Sequence, residues 1–268
     1  MCARARLAAS EFDKNSNISV RESIAFNGST LHGHDFYELE IITSGSTPCA
    51  LNGKEALAEC GTVFFLTPAD FHEYSPSDGF DLYNIQFTPE ALSSNILERL
   101  ISARERIFMP TGEVFQSIKR LTAEMHSLFT SGKSPEILTR LLECLLLLLA
   151  DGMGNGGYTS AESMRDVQKA IIYLHAHFKE NPSLSEVAAT LPLNKNYFCT
   201  KFREYTGQSY NEYLKALKLR YARRLVLSTS LSMIEIAERS GYSTQSHFNR
   251  EFKEYYATTP LKLRMGRL

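Results

Sequence analysis

The chain has 268 residues, 43% of them hydrophobic, with 16 Phe and 13 Tyr, which suits two domains that each bury a core and excludes a disordered or collagen-like protein. The net charge of −1 conceals an asymmetry: residues 1–160 carry 12 Lys/Arg against 20 Asp/Glu, whereas residues 161–268 carry 17 against 10. A basic half joined to an acidic one points to one half meeting a polyanion while the other does something else.

Met1–Arg6 is basic but no apolar stretch follows it, so no signal peptide is expected. Residues 1–92 read as a first domain of short strands between turn signals, among them Glu38–Thr43, Thr62–Leu66 and Asp81–Phe87. Asn52-Gly53 between two such pieces is the dipeptide of a tight hairpin turn. Many short strands at this spacing predict a small barrel or a two-sheet jelly roll.

Over residues 93–151 the period changes to that of a helix. Glu113–Phe129 carries Val114, Phe115, Ile118, Leu121, Met125 and Leu128 at three-to-four spacing. A second helix from Pro135 to about Ala150 is apolar nearly all round, which predicts burial on several sides: against the barrel and in a dimer contact, or within one subunit. Its run Leu145–Ala150 is far short of the ~20 residues needed to cross a bilayer. The five cysteines (Cys2, Cys49, Cys60, Cys144, Cys199) form no CxxC pair, which fits free thiols in a reducing cytoplasm. Residues 152–161 hold four glycines and read as a linker. Everything over 162–268 reads as helix, so the fold class expected is α+β, multidomain.

The last region contains an internal repeat. Ser183, Glu186, Val187 and Ala188 reappear 49 residues later as Ser232, Glu235, Ile236 and Ala237; Ser-x-x-Glu is the reciprocal capping box that starts a helix. Phe198, Phe202, Arg203, Glu204 and Tyr205 match Phe248, Phe252, Lys253, Glu254 and Tyr255 at an offset of 50. The extra residue falls where a turn is expected (Leu191–Asn194 against Ser240–Thr244), as in a duplicated helix-turn-helix. Between the copies, Tyr210–Leu227 predicts a rod of about 27 Å at 1.5 Å per residue. Major-groove faces lie ~34 Å apart on one side of B-DNA, so the rod holds two recognition helices at nearly the separation of adjacent grooves, and the shortfall predicts some DNA bending or one helix docking imperfectly. Lys215, Lys218, Arg220, Arg223 and Arg224 on this rod are expected to point mostly outward.

The stretch Gly241–Lys253 (GYSTQSHFNREFK), with Thr259-Pro260 followed by Arg264, resembles the AraC/XylS family of transcription regulators over about residues 165–264. Ala257 departs from it, since the family usually has Gly there. Recognition helices present residues near their N-termini to base edges. These are Lys195, Asn196, Cys199 and Thr200 in the first copy and Gln245, Ser246, Asn249 and Arg250 in the second, positions that the resemblance assigns to base contacts. Asn and Gln suit adenine, Arg suits guanine, and Thr suits a thymine methyl. Lys201, Arg203, Arg220, Arg223, His247 and Lys253 are the candidates for phosphate contacts, which position without choosing sequence.

His32-Gly33-His34, Glu38 and the later Pro68 to His72 resemble the two motifs of the cupin domain. In metal-binding cupins the two early His, the Glu and the late His hold one transition metal; His32, His34, Glu38 and His72 occupy those places. Asp70 departs from the usual Gly, and no Asn follows His72 shortly. The expectation is no cofactor, with this set as the ligands if a metal binds. His32, His34, Tyr37, Glu38, His72, Tyr83 and Gln86 are the expected effector contacts, together with Tyr74. Polar groups among aromatics suit a hydroxylated small molecule, with a carbohydrate as first choice. The resemblance implies a dimeric, effector-controlled regulator that binds promoter DNA, works with RNA polymerase as an activator, and is no enzyme. Two alternatives stand: a metal-dependent cupin enzyme with a DNA-binding tail, and a DNA-binding protein without effector.

Overall fold

Period-two alternation in the first third of the chain becomes strand, and the three-to-four periodicity beyond it becomes helix. The computed structural model describes residues 5–7, 17–92, 96–97, 100, 106–132, 134–151 and 162–266. Two units separate, Arg4–Ala161 and Glu162–Leu268. The glycine-rich stretch expected as a linker and Cys2 lie outside the described residues.

In the first unit, β1 (Ala5–Leu7), β3 (Ser29–His34), β8 (His72–Tyr74), β5 (Ser46–Leu51) and β6 (Lys54–Glu59) form one sheet in that order. The other runs β10 (Ile107–Phe108), β7 (Val63–Leu66), β4 (Tyr37–Ser44), β9 (Phe80–Phe87) and β2 (Ile18–Phe26). Asn52 and Gly53 close the β5–β6 hairpin at φ 53° and 79°, flanked by the Leu51–Lys54 pair, as a type I′ turn requires of both central residues. The arrangement is the two-sheet form of the expected architecture.

The second sheet separates two cores. Ile42, Phe64, Leu66, Phe80 and Leu82 pack with Cys49, Leu51, Ala58 and Tyr74 of the first sheet. Their neighbours Leu39, Ile41, Val63, Phe65, Ile85 and Phe87 pack instead with α1 (Gly112–Thr130) and α2 (Pro135–Asp151). Alternate strand residues face opposite ways, so one strand serves both cores. Helix α2 contributes the fully buried Leu142, Leu145 and Leu146, each stabilising by roughly 1.5–3 kcal/mol. Its other side leaves Ile137 50% and Leu147 41% exposed, with Cys144 exposed beside them.

The second unit comprises α3 (Glu162–His177), α4 (Leu184–Ala189), α5 (Lys195–Thr206), α6 (Tyr210–Ser228), α7 (Met233–Arg239), α8 (Gln245–Tyr256) and α9 (Pro260–Met265). Capping boxes open α4 at Ser183 and Glu186 and α7 at Ser232 and Glu235; a third opens α6 at Ser209 and Glu212. Phe198, Phe202, Phe248 and Phe252 are fully buried, and the ring centroids within each pair lie 5.5 Å apart in both copies. Arg264 donates from Nε to the Val226 carbonyl and from Nη1 to that of Leu231, tying α9 to the end of the rod α6. One expectation is corrected: Lys218 is buried rather than outward, because its ammonium folds over the Tyr242 ring and donates to Asn181 Oδ1.

Candidate DNA-reading helices and a buried polar chamber

The helices α5 and α8 start in the same way. The Asn194 and Thr244 side chains cap them by accepting from the backbone N–H of Tyr197 and His247, which fixes equivalent residues at equivalent turns. Lys195 and Gln245 take the first helical position, Asn196 and Ser246 the second, Cys199 and Asn249 the fifth, Thr200 and Arg250 the sixth. All eight are exposed or half-buried, in contrast to the fully buried phenylalanines of the same helices. Lys195 donates to Ser185 Oγ at 3.0 Å; Arg250 is exposed. Tyr197, absent from the sequence reading, is 41% exposed at the position that His247 takes in the second copy.

The expected phosphate-contacting residues divide. Arg203 and Lys253 are exposed at equivalent places on α5 and α8. Lys201 is engaged with Glu204 at 2.8 Å. His247 sits 3.3 Å from Glu251 with its ring edge toward Tyr242. Arg223 and Arg220 belong to the rod; the Arg223 guanidinium lies over the Tyr256 ring. Arg220 is half-buried with its Nε shielded from solvent, which corrects the expectation of an outward-facing side chain.

In the first unit the two sheets enclose a polar chamber. The first sheet supplies His34, His72 and Tyr74; the second supplies Glu38 and Glu40 from β4 and their cross-strand partners Gln86 and Asn84 from β9. Gly33 lets β3 approach the turn before β8, since a β-carbon there would meet the Phe71 ring at 2.8 Å. Asp70 secures that turn: it accepts from Thr67 N, Thr67 Oγ1 and Asn52 Nδ2 and pairs with Arg106 at 2.9 Å. The residue that departed from the cupin pattern therefore positions the strand carrying His72.

Inside the chamber, His34 Nε2 lies 2.9 Å from Glu38 Oε2, and His72 Nε2 lies 3.6 Å from Glu38 and 3.9 Å from Glu40. Asn84 and Gln86 donate to Glu38 Oε1, and Tyr74 donates to Glu40 at 2.5 Å. Burial lowers the His34 pKa, but the Glu38 charge raises it on balance above its ordinary value. Burial works to raise Glu38, and His34 outweighs it, holding the carboxyl well below the usual range. Burial and the Glu38 charge push Glu40 up to about 8. Burial pushes His72 down to about 3.

Three members of the expected set converge: ligand atoms of His34, Glu38 and His72 lie within 4.8 Å of one another. His32 does not join them; its Nδ1 is engaged by the Thr30 carbonyl and its ring rests on that of His72. Two imidazoles and a carboxylate are a donor set suited to a transition metal. Tyr37 and Tyr83 are corrected as chamber residues. Tyr37 stacks between Phe65 and Phe87 in the helix-facing core, and Tyr83 packs on the same face beside His126. Glu40 and Asn84 take the inward places that the sequence reading missed. Beside the chamber opens a groove of about 960 Å³ lined by Ser29, Thr30, Cys49, Glu73, Tyr74 and Ser75 among others.

Comparison with known proteins supports both halves. Residues 27–150 match the profile of an AraC-like ligand binding domain, and residues 187–266 that of a helix-turn-helix domain. The HTH-type transcriptional activator RhaS of Salmonella schwarzengrund is 26% identical over 246 residues, covering 88% of this chain and 87% of that protein. RhaS of Escherichia coli O139:H28 is 24% identical over 263 residues, 94% of each. Among solved structures, the C-terminal domain of AraT, a response regulator from Geobacillus stearothermophilus, is 31% identical over 40% of this chain and 90% of that one, with a TM-score of 0.38. ToxT from Vibrio cholerae is 14% identical over 92% of this chain and 97% of its own, with a TM-score of 0.41.

Proposed function

The chain belongs to the AraC family of transcription regulators, and from that premise we propose a homodimeric activator that reads promoter DNA with α5 and α8 and answers to a small hydroxylated effector. The observation that carries the reading is the shared register of these helices: the same cap, the same buried phenylalanine pair, and polar side chains outward at the same turns. Each helix lays its first two turns in a major groove. Lys195, Asn196, Cys199 and Thr200 meet one set of base edges; Gln245, Ser246, Asn249 and Arg250 meet the next. Arg203 and Lys253 contact phosphates, and recruitment of RNA polymerase follows from the bound complex.

Pairing of two α2 helices forms the dimer. Ile137, Leu141, Cys144 and Leu148 make one side of α2, flanked by Leu147, with Ile137, Cys144 and Leu147 exposed. A second copy of the same face is its apolar complement, as a two-fold interface requires. The protein works in the cytoplasm, where its promoters and polymerase are.

The effector meets His34, Glu38, His72, Asn84 and Gln86, the polar side chains gathered between the two sheets. Neutral polyols such as sugars suit these donors and acceptors, while the Glu38 charge disfavours acids. Effector binding controls DNA affinity by favouring one of two states, which requires unequal affinity for them. A thermal-shift screen of monosaccharides and aromatic acids against the full chain, followed by DNA-binding titration, tests the reading. A binding sugar raises stability by about 2.7 kcal/mol at a hundred times its Kd and changes promoter affinity. Stabilisation by acids alone contradicts the effector class.

A further inference from the structure

Lys218 carries an ammonium folded into the second unit with no carboxylate to balance it. The residue is 7% exposed; its Nζ donates to Asn181 Oδ1 at 3.2 Å and stands 4.1 Å from the centre of the Tyr242 ring. It pairs with no carboxylate among the described residues. An amide oxygen and a ring face are neutral partners, so the charge is buried without a counter-charge, which is costly. Burial accordingly lowers its pKa, with the Glu251 charge opposing. An ammonium has three N–H donors, and these two partners leave one of them over.

The side chain lines a groove of about 700 Å³ between the two helix-turn-helix pieces. Residues 179–181 ahead of α4 border it on one side, Tyr242, Ser243 and His247 on the other, and the rod α6 adds Lys215. Three carboxylates also border it, and none pairs with Lys218. Glu180 is engaged by His177 at 2.8 Å, Glu251 by the Tyr242 hydroxyl at 2.9 Å and His247 at 3.3 Å, and Glu238 is exposed. His247 stands between Ser246 and Asn249 and lies roughly 60° around α8 from Arg250, at 3.6 residues per turn. The groove therefore begins beside the side chains read as base contacts, on the flank of α8 that meets the first helix-turn-helix piece. A helix in a major groove has a backbone strand on each flank, so the strand between two half-sites passes this groove.

We propose that the groove binds a phosphate group through Lys218, and that this phosphate belongs to the DNA strand running between the two half-sites. The inference rests on the reading of DNA by α5 and α8 and adds one backbone contact at the place where the two pieces meet. A phosphate oxygen supplies both the missing counter-charge and the acceptor for the remaining N–H, as a charge-assisted hydrogen bond.

Binding of the full chain to its own upstream duplex is titrated over a series of salt concentrations. Loss of one phosphate contact lowers the slope of log K against log salt by about 0.9. Lys218→Met is expected to show that decrease and roughly ten-fold weaker binding, on unrelated duplex as well, while Lys218→Arg keeps the parent's slope. Methylphosphonates, each removing one backbone charge, are placed singly between the half-sites. One position should weaken the parent about as much as Lys218→Met does and leave that variant unaffected. A lysine that only braces the junction weakens binding at an unchanged slope, which overturns the DNA contact. Thermal unfolding in inorganic phosphate against chloride at equal ionic strength addresses the other source. Stabilisation of the parent but not of Lys218→Met, at an unchanged salt slope, assigns the groove to a free phosphate compound; neither effect overturns the groove as a phosphate site. Circular dichroism checks each fold, and Lys218→Gln replaces Lys218→Met if that chain is unfolded. Failure of the parent to bind any duplex refutes the DNA reading itself, and the phosphate comparison then still judges the groove.

Discussion

A β-carbon on Gly241 would lie 2.6 Å from the carbonyl oxygen of Lys179. The turn between α7 and α8 thus meets the 3-10 turn before α4, and Lys218, over the Tyr242 ring and bonded to Asn181, closes the same junction. The two helix-turn-helix pieces are held against one another as well as joined by a rod. Gly241 has φ 76°, so alanine meets both a left-handed backbone and a backbone clash. Gly241→Ala is expected to cost at least about 2 kcal/mol of stability in denaturant unfolding. It should also weaken binding to two adjacent half-sites more than to one, because relief of the clash shifts α8 relative to α5.

Ala257 ends α8 in the left-handed conformation at φ 55°, where Gly207 ends α5 at 73°. A β-carbon is disfavoured there by about 1 kcal/mol relative to glycine. Ala257→Gly therefore stabilises the chain by roughly that amount, read as a higher denaturant midpoint at unchanged slope. An unchanged or lower midpoint contradicts the cap assignment.

The exposed side of α2 gives a third expectation. Leu147→Glu alters a side chain 41% exposed, so the subunit's own fold changes by less than about 0.5 kcal/mol. A dimer built on that face dissociates when two carboxylates enter it. Sedimentation should show a dimer for the parent and a monomer for the variant; a dimeric variant sends the interface elsewhere.

Arg250 is exposed in the second turn of α8. Arg250→Ala should cost roughly 1–3 kcal/mol in promoter binding and relax preference at one base pair. Equal weakening on every sequence makes Arg250 a phosphate contact.

The helix-turn-helix copies were legible because their signals are local: a capping box, an Asn or Thr cap and phenylalanines four apart are set within one or two turns. The chamber was legible only in part. His34, Glu38 and His72 stand in motifs, but which neighbours face them depends on strand phase. Alternation from Glu38 puts Glu40 inward and Tyr37 outward, and the Glu40–Asn84 pairing puts Tyr83 with Ile41 on the helix side. The period of two places Glu40 inward, whereas its residue type alone does not set it apart from other carboxylates. His32 could not be separated from His34 in this way, since residues two apart on β3 share a face. Lys218 was misplaced because helical period places it but not its partner, and Tyr242 comes from a later element.

Hydroxyl-radical footprinting of the full chain on its own upstream DNA measures the reading of duplex by α5 and α8 most directly. For each subunit, two protected patches on one face of the helix about 10 base pairs apart are expected, with Arg250→Ala weakening one and Asn196→Ala the other. A single patch per subunit, or protection that both variants reduce alike, contradicts it.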